Sequence, residues 1–247
     1  NPLDLGLMLI LDGVNAGPAH GIVVRSSHNT IQGIVFNNFE QDAIRLEPTI
    51  TGTDMNTIFG NNIGVEFEYG IAMGNGTNQN ELWAGVHIAA SPADTGTACN
   101  NVIESNMIGS NYADGVRIES NGMCDISSNT IRNNYLGWKY SWNDYGNLHS
   151  GAYIGKGTHN NLIEDNLIVC NDGDGVTLIG DSLTQLSTFG NTITHNTIGD
   201  CYPASYYNEK NGVGIGIYGG IDFQGYAHNN TVSNNSIYSN GENGIAL

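Results

Sequence analysis

The first candidates for chemistry are polar residues at the variable position x of a recurring Gly-(Val/Ile)-x-(Ile/Leu) motif. Successive copies of the motif carry Arg45, His87, Arg117 and Tyr153 at this position. If consecutive copies stack, these side chains form one row with steps of about 4.8 Å. Such a row offers a base, an acid and a cation, which β-elimination or C5 epimerisation of a uronan requires because the sugar carboxylate must be neutralised while the α-proton is removed. The alternative is a row of surface ion pairs, Arg45 with Glu47 and Arg117 with Glu119.

The charge of the chain argues against an enzyme that acts on polyanions. The sequence contains 7 Lys and Arg against 24 Asp and Glu, a net charge of −17. An enzyme for polyanions usually lines its cleft with cations, and here the cations are few and scattered. The same charge makes duplex nucleic acid and anionic membranes poor partners. The sequence has no run of 18 apolar residues, so it predicts no transmembrane helix.

A second group of candidates is aromatic and lies in two long segments between motifs. Aromatic rings beside amides and carboxylates suit stacking on sugar rings or packing against a partner. The alternative is that the rings cover their own loops and the flank of the fold. The candidates are Trp138, Tyr140, Trp142 and Tyr145 in one segment, and Tyr206 and Tyr207 in the next.

A third group consists of carboxylates. Asp172, Asp174 and Asp181 offer oxygen ligands for Ca²⁺. The alternative is that Asp-Gly forms the ordinary turn into the following strand. A glycosidase pair, Asp172 with Asp174 or Glu164 with Asp165, would need carboxyl groups about 5 to 9 Å apart.

The elements that must position these residues come from two repeats. Asn-x-(Ile/Val/Leu)-x-x-Asn-x-(Ile/Leu) occurs six times, starting at Asn56, Asn101, Asn129, Asn161, Asn191 and Asn230. A seventh copy, at Asn29, has Ile34 in place of the second Asn. Stacked at one copy per coil, the second asparagines of the copies predict an internal amide ladder that satisfies the backbone of the turns, and the alternative is a polar binding row.

The Gly-(Val/Ile)-x-(Ile/Leu) motif recurs roughly every 32 residues between Gly21 and Gly244, which is the self-similarity of a solenoid. Its apolar residues alternate, so each copy predicts a short strand with one buried face. The two repeats together predict about eight coils of three short strands each, with long loops at two positions of the coil.

In these repeats the chain resembles the right-handed parallel β-helix family. Gly21-Ile-Val-Val and the stretch from Asn29 to Phe36 are similar to repeats of large secreted bacterial and archaeal surface proteins. The resemblance, which covers Gly21 to Leu247, implies an all-β fold, a single domain over residues 1–247 or a segment of a longer solenoid, and an extracellular or cell-surface location. The family includes polysaccharide lyases, glycosidases, epimerases, tailspikes and structural surface proteins, so it does not fix a function. The signature clusters of its polygalacturonases and the Asp-Pro-His motif of its alginate epimerases are absent.

The four cysteines form two pairs when they are placed on the repeat. Cys99 and Cys124 lie two and five residues before the first Asn of consecutive coils. Cys170 and Cys201 lie four and five residues after the second Asn of consecutive coils. This proximity favours two disulfides and an oxidising compartment over free buried thiols.

The sequence therefore predicts a secreted or surface-displayed β-helix with a structural or adhesive role. We expect it to contact a polysaccharide or cell-surface glycan through its aromatic loops, and to assemble end to end through open solenoid ends into an oligomer or filament. The alternative is a polysaccharide-active enzyme, a uronan lyase or C5-epimerase first and a glycosidase second, with its groove along the row of Arg45, His87, Arg117 and Tyr153.

Overall fold

Short runs of alternating apolar and polar residues form the strands of this protein, because alternation presents one apolar face. The computed structural model describes residues 9–66, 71–78, 82–140, 143–181, 183–199, 215–218, 226–241 and 243–246. These residues form strands of two to four residues, bridges and turns, and none lies in a helix. In particular, no helix in this part of the chain is long and apolar enough to cross a membrane.

The strands belong to three long parallel sheets, and each coil contributes to the three in turn. The first sheet contains the Gly-motif strands, namely Ile22–Val24, Ile44–Leu46, Val86–Ala89, Val116–Glu119, Ala152–Gly155, Val176–Ile179, Ile215–Tyr218 and Ile245–Ala246. The second contains the strands after each first Asn, namely Thr30–Gln32, Thr57–Phe59, Val102–Glu104, Thr130–Arg132, Leu162–Glu164, Thr192–Thr194 and Thr231–Ser233. The third contains Leu9–Asp12, Ile34–Asn37, Asn62–Ile63, Met107–Ile108, Tyr135–Leu136, Leu167–Val169, Thr197–Gly199 and Ser236–Tyr238.

Four small sheets lie in the two loop positions that the sequence predicts. Antiparallel hairpins follow the third sheet, Val65–Glu66 with Ile71–Ala72 and Lys139–Tyr140 with Asn143–Asp144. Parallel pairs lie between the first and second sheets, Gly96–Thr97 with Cys124–Asp125 and Thr188–Phe189 with Ala227–His228. The prediction of an all-β parallel solenoid with variable loops at two positions is confirmed.

Equivalent residues of successive coils lie over one another, as the repeat predicts. Ile103 pairs in register with Ile58 on one side and Ile131 on the other. Ile108 pairs in the same way with Ile63 and Leu136. These side chains are at most 1% exposed, so the core is a set of aliphatic columns parallel to the solenoid axis.

The ladder predicted for the second asparagines forms inside the turns, and the first asparagines form another. The side-chain amide of each member donates to the side-chain oxygen of the next, at 2.8–3.2 Å in the first ladder and 2.9–3.0 Å in the second. Ile34 cannot extend the second ladder, but its backbone N–H donates to Asn61 Oδ1 at 3.1 Å. A third ladder, which the repeat analysis missed, joins Asn75, Asn111, Asn147 and Asn171 at 2.9–3.0 Å.

The turn from the second to the third sheet is equally short in every coil. Its tip residue has a left-handed backbone, as Ser105, Asn133 and Asp165 do at φ of 54 to 55°. Short polar residues and glycine tolerate this conformation best, which explains the Asn, Asp, Ser and Gly at the position. No loop is inserted here, so this side of the solenoid keeps a regular surface over the described coils.

The predicted disulfide between Cys99 and Cys124 is wrong, because both thiols are free. Cys124 lies opposite Gly96 in the parallel pair, whereas Cys99 Sγ lies 3.4 Å from Ser127 Oγ, so the two cysteines occupy different columns. Burial raises the pKa of the Cys99 thiol, which keeps it protonated. Cys170 is buried and is not one of the free thiols. Cys201 lies outside the described residues, so its pairing with Cys170 stays a prediction.

Candidate functional site

The row predicted on the first sheet forms in register. His87 pairs with Arg45 on one strand and Arg117 on the other, and Arg117 pairs with Tyr153. The outer face of the first sheet therefore places the four residues in line, as their positions in the motif require. Arg45, His87 and Arg117 are nevertheless only 4–7% exposed, so these three side chains lie beneath the surface.

Arg45 is held by carboxylates of its own strand and turn. Its Nη1 donates to Asp42 Oδ2 at 3.0 Å, and its Nε donates to Glu47 Oε1 at 3.0 Å. Glu47 also accepts from Arg25 Nε at 2.6 Å. Both acids are largely buried, so the positive charge of Arg45 is compensated within the protein.

Arg117 repeats this arrangement two coils further along. Its Nη1 donates to Asp114 Oδ2 at 2.7 Å and its Nη2 to Glu119 Oε2 at 3.0 Å. These acids raise the pKa of the guanidinium although burial opposes them, so Arg117 stays charged. The guanidinium carbon lies 3.8 Å from the centre of the Tyr153 ring, a cation–π contact. Burial raises the pKa of Tyr153 to about 12 against the opposing effect of Arg117, so its phenol is protonated at neutral pH.

His87 connects the two arginine groups through acids of neighbouring coils. Its own turn has Ala84 where the other two have aspartate, so the ring reaches back to Asp42, with Nδ1 3.2 Å from each carboxylate oxygen. Nε2 lies 3.5 Å from Glu119 Oε1. Burial would lower the pKa of His87, but the Asp42 charge and contacts with both acids raise it above its ordinary value. Contacts with His87 in turn hold the pKa values of both carboxyls well below their usual range, against the effect of burial.

His87 and Tyr153 are the two groups of the row that could exchange a proton with a ligand. His87 favours the imidazolium, and Tyr153 keeps its proton. The carboxylates of Asp42 and Glu119 are weak bases, because their proton affinities are lowered by the ion pairs. A polar pocket of about 310 Å³ lies beside the row and is lined in part by Glu119, Lys156 and Asp181.

The aspartates were the part of this cluster that sequence reasoning missed. Asp42 and Asp114 each lie three residues before an arginine, and the Asp-Gly pattern alone indicated only a turn. Each also ties two coils together, because its Oδ1 accepts a backbone N–H of the next coil, from Ala84 and Ser150 respectively. The spacing of three residues between each aspartate and its arginine is the sequence feature that would have identified them as ion-pair partners.

The described aromatic candidates differ in how far they are buried. Tyr145 is 3% exposed and packs against Val65 and Met107, so it stabilises the flank of the solenoid and is not available to a glycan. Trp138 is half-buried and meets Tyr135 edge to face, with ring centres 5.1 Å apart. Tyr140 belongs to the hairpin Lys139–Tyr140 with Asn143–Asp144. Trp142, Tyr206 and Tyr207 lie outside the described residues, and their glycan contacts stay predictions.

The carboxylates proposed for Ca²⁺ do not come together. Asp174 Oδ2 accepts from Thr177 Oγ1 at 2.9 Å, whereas Asp181 Oδ1 accepts from the backbone N–H groups of Leu183 and Thr184 in its own turn. Among the described residues no three His, Cys, Asp or Glu side chains are grouped as metal ligands would be. The described contacts give no support to a calcium site at Asp172, Asp174 and Asp181, which stays a prediction.

Comparison with solved structures finds matches of low similarity. The A-module of a mannuronan C-5 epimerase from Azotobacter vinelandii is 14% identical, with a TM-score of 0.36, over 92% of this chain and 56% of that one. The tailspike protein of an Acinetobacter baumannii phage is 10% identical, with a TM-score of 0.24, over 94% and 51%. The chain thus spans about half the length of these proteins. No curated protein sequence matches it.

A family profile gives the firmer assignment. Residues 95–247, more than half of the chain, match the family described as right handed beta helix region. The profile agrees with the stacked parallel sheets and their asparagine ladders. This protein belongs to the right-handed β-helix family.

Proposed function

We propose that this protein is a structural or adhesive β-helix that binds a glycan on its flank, displayed outside the cell or on its surface. The observation that carries the proposal is the state of the first-sheet row. Arg45 and Arg117 are buried and bound to carboxylates of the same chain, so neither is free to neutralise the carboxylate of a uronan. With its charges compensated internally, the row joins coils and stiffens the solenoid.

The glycan contact is supported by rings that remain accessible in part. Tyr135 and Trp138 are half-buried neighbours on the flank of the third sheet. Aromatic rings that are buried on one side and exposed to solvent on the other suit contact with the apolar face of a sugar. The rigid coils beneath them limit the conformational entropy that binding would cost.

The alternative is the polysaccharide-active enzyme, for which Tyr153 is the specific observation. Its phenol is protonated, partly accessible and fixed over Arg117, as a general acid in a lyase or epimerase would be. Against this alternative, Arg45 and Arg117 are already bound to carboxylates of the same chain. End-to-end assembly stays a separate proposal.

The experiment that separates these functions is an activity screen on alginate and polygalacturonate. Lyase activity would appear as absorbance of the unsaturated product, and epimerase activity as solvent deuterium at C5. We expect neither from the wild type, and binding to at least one glycan on an array. Turnover that disappears in both Tyr153→Phe and His87→Ala would establish the enzyme instead, whereas turnover that survives both would indicate a contaminant.

A further inference from the structure

A groove of about 770 Å³ lies on the side of the solenoid where the second sheet turns into the third. This is the side that carries no inserted loop in the described coils. We call it the turn groove and define it by Phe59, Ser105, Asn133, Tyr135, Asp165 and Thr197. It shares no lining residue with the polar pocket beside the first-sheet row. None of the candidate residues discussed for the row or the calcium site lines it.

The groove follows the solenoid axis because of the way the turn repeats. Phe59, at one end, and Thr197, at the other, belong to coils that are joined through three intervening coils by continuous strand pairing. Four steps between coils give a length of about 19 Å. The turn tips at Asn133 and Asp165 have the same left-handed backbone, so their exposed side chains recur at the same height in successive coils.

The lining combines rings with neutral hydrogen-bonding groups. Phe59 and Tyr135 are half-buried, and Tyr135 is fixed by its edge-to-face contact with Trp138. Ser105 and Asn133 supply hydroxyl and amide groups within the same groove. Rings for the apolar face of a sugar and polar groups for its hydroxyls are the two elements that carbohydrate recognition requires.

The charge of the groove favours a neutral ligand over an acidic one. Asp165 is the only charged residue of the described lining, and it is an exposed carboxylate. The nearby Arg132, on the adjoining strand, is paired through Nε with Glu104 at 2.7 Å, which offsets its charge. A uronan would bring negative charge to a site with no free cation among these residues.

We infer that the turn groove binds a linear neutral glycan, laid parallel to the solenoid axis with a sugar ring on Tyr135. This inference rests on the proposed glycan-binding function and adds the site and the ligand class. The carboxylate of Asp165 accepts hydrogen bonds from sugar hydroxyls, as charged acceptors do most strongly.

The test is titration calorimetry with cellohexaose, laminarihexaose and mannohexaose, and with oligomannuronate as the acidic comparison. The variants are Tyr135→Leu and Asp165→Asn, with Tyr112→Ala as a matched control, since Tyr112 is exposed outside the groove. We expect the wild type to bind a neutral hexaose, Tyr135→Leu to weaken it by about tenfold or more, and Tyr112→Ala to leave it unchanged. Asn tolerates the left-handed backbone at position 165, so Asp165→Asn tests the groove even if Tyr135→Leu folds poorly.

Each other outcome overturns a defined part of the argument. Binding that both groove variants leave unchanged would place the glycan elsewhere and overturn the inference while the proposed function stands. Preference for oligomannuronate would overturn the ligand class. Failure of the folded wild type to bind any oligosaccharide here or on the array would overturn both the inference and the proposed function.

Discussion

Replacement of Asn134 by alanine tests whether the asparagine ladder supports the coils. Asn134 is 1% exposed in the middle of the second ladder. Its Oδ1 accepts from both the backbone N–H and the side-chain amide of Asn106, each at 3.0 Å. Its Nδ2 donates to Ile103 O at 2.9 Å and to Asn166 Oδ1 at 3.0 Å. One substitution therefore removes hydrogen bonds to two neighbouring coils.

The expected cost follows from the groups that are left without a partner. The Asn106 backbone N–H loses its acceptor in a buried site, whereas the Asn106 side-chain amide keeps Ile58 O and Glu104 O. Asn166 Oδ1 keeps the Asn134 backbone N–H, but Ile103 O loses a side-chain donor. With about 1–3 kcal/mol for each buried group that loses its partner, we expect a loss of about 2–5 kcal/mol in the free energy of unfolding.

The matched control is Asn235→Ala at the end of the same ladder. Asn235 Oδ1 also accepts from a backbone N–H and a side-chain amide, both of Asn196, but the site is only part-buried. Water can replace the lost acceptor there, so we expect a cost of about 0.5–1.5 kcal/mol.

Urea unfolding followed by far-UV circular dichroism and tryptophan fluorescence measures both costs, provided that the two probes give one transition. Native-state hydrogen exchange should show the Asn106 amide exchanging faster in Asn134→Ala than in the wild type. Equal destabilisation by the two substitutions, with an unchanged exchange rate at Asn106, would refute the reasoning that burial makes the ladder stabilising.

Two further predictions concern charge and thiols. The lowered pKa of Asp42 contributes stability that is lost as the pH falls below about 4, and the raised pKa of His87 contributes stability that is lost as the pH rises through that pKa. The melting temperature should therefore be highest between these two pH limits. If the melting temperature of the wild type depends on pH in the same way as that of His87→Gln on the alkaline side, His87 does not contribute this stability. Maleimide labelling of the denatured, unreduced protein should modify Cys99 and Cys124 but not Cys170, and a labelled Cys170 would exclude its predicted disulfide.

The coil could be predicted from the sequence because its determinants recur at a fixed spacing. Insertions fall at two loop positions, so the distance between the two asparagines of each copy never changes. That constancy predicts the turn, the ladder of second asparagines and the aliphatic columns at once, since a change of one residue would turn the apolar side chains outward. The structure confirms the columns in register, from Ile58 through Ile103 to Ile131.

Features that depend on loop conformation could not be predicted in the same way. The third ladder has its Asn four residues before the motif glycine in the coils of Asn111, Asn147 and Asn171, but a loop separates Asn75 from Gly85 and hides the pattern. The burial of Tyr145 depends on how its hairpin folds back on the third sheet, which no repeat spacing encodes.

The acids that flank the arginines of the first-sheet row decide between a catalytic and a structural role for the row. In a strand, residues two apart share a face, so the glutamate two residues after each arginine lies beside it. An aspartate three residues before the arginine reaches the same guanidinium from the turn. Arg45 and Arg117 each have both partners, and both are bound by them. An arginine intended for a substrate carboxylate would have to give up these contacts, at a cost of several kcal/mol for a buried pair. The flanking acids therefore favour a structural role for the row.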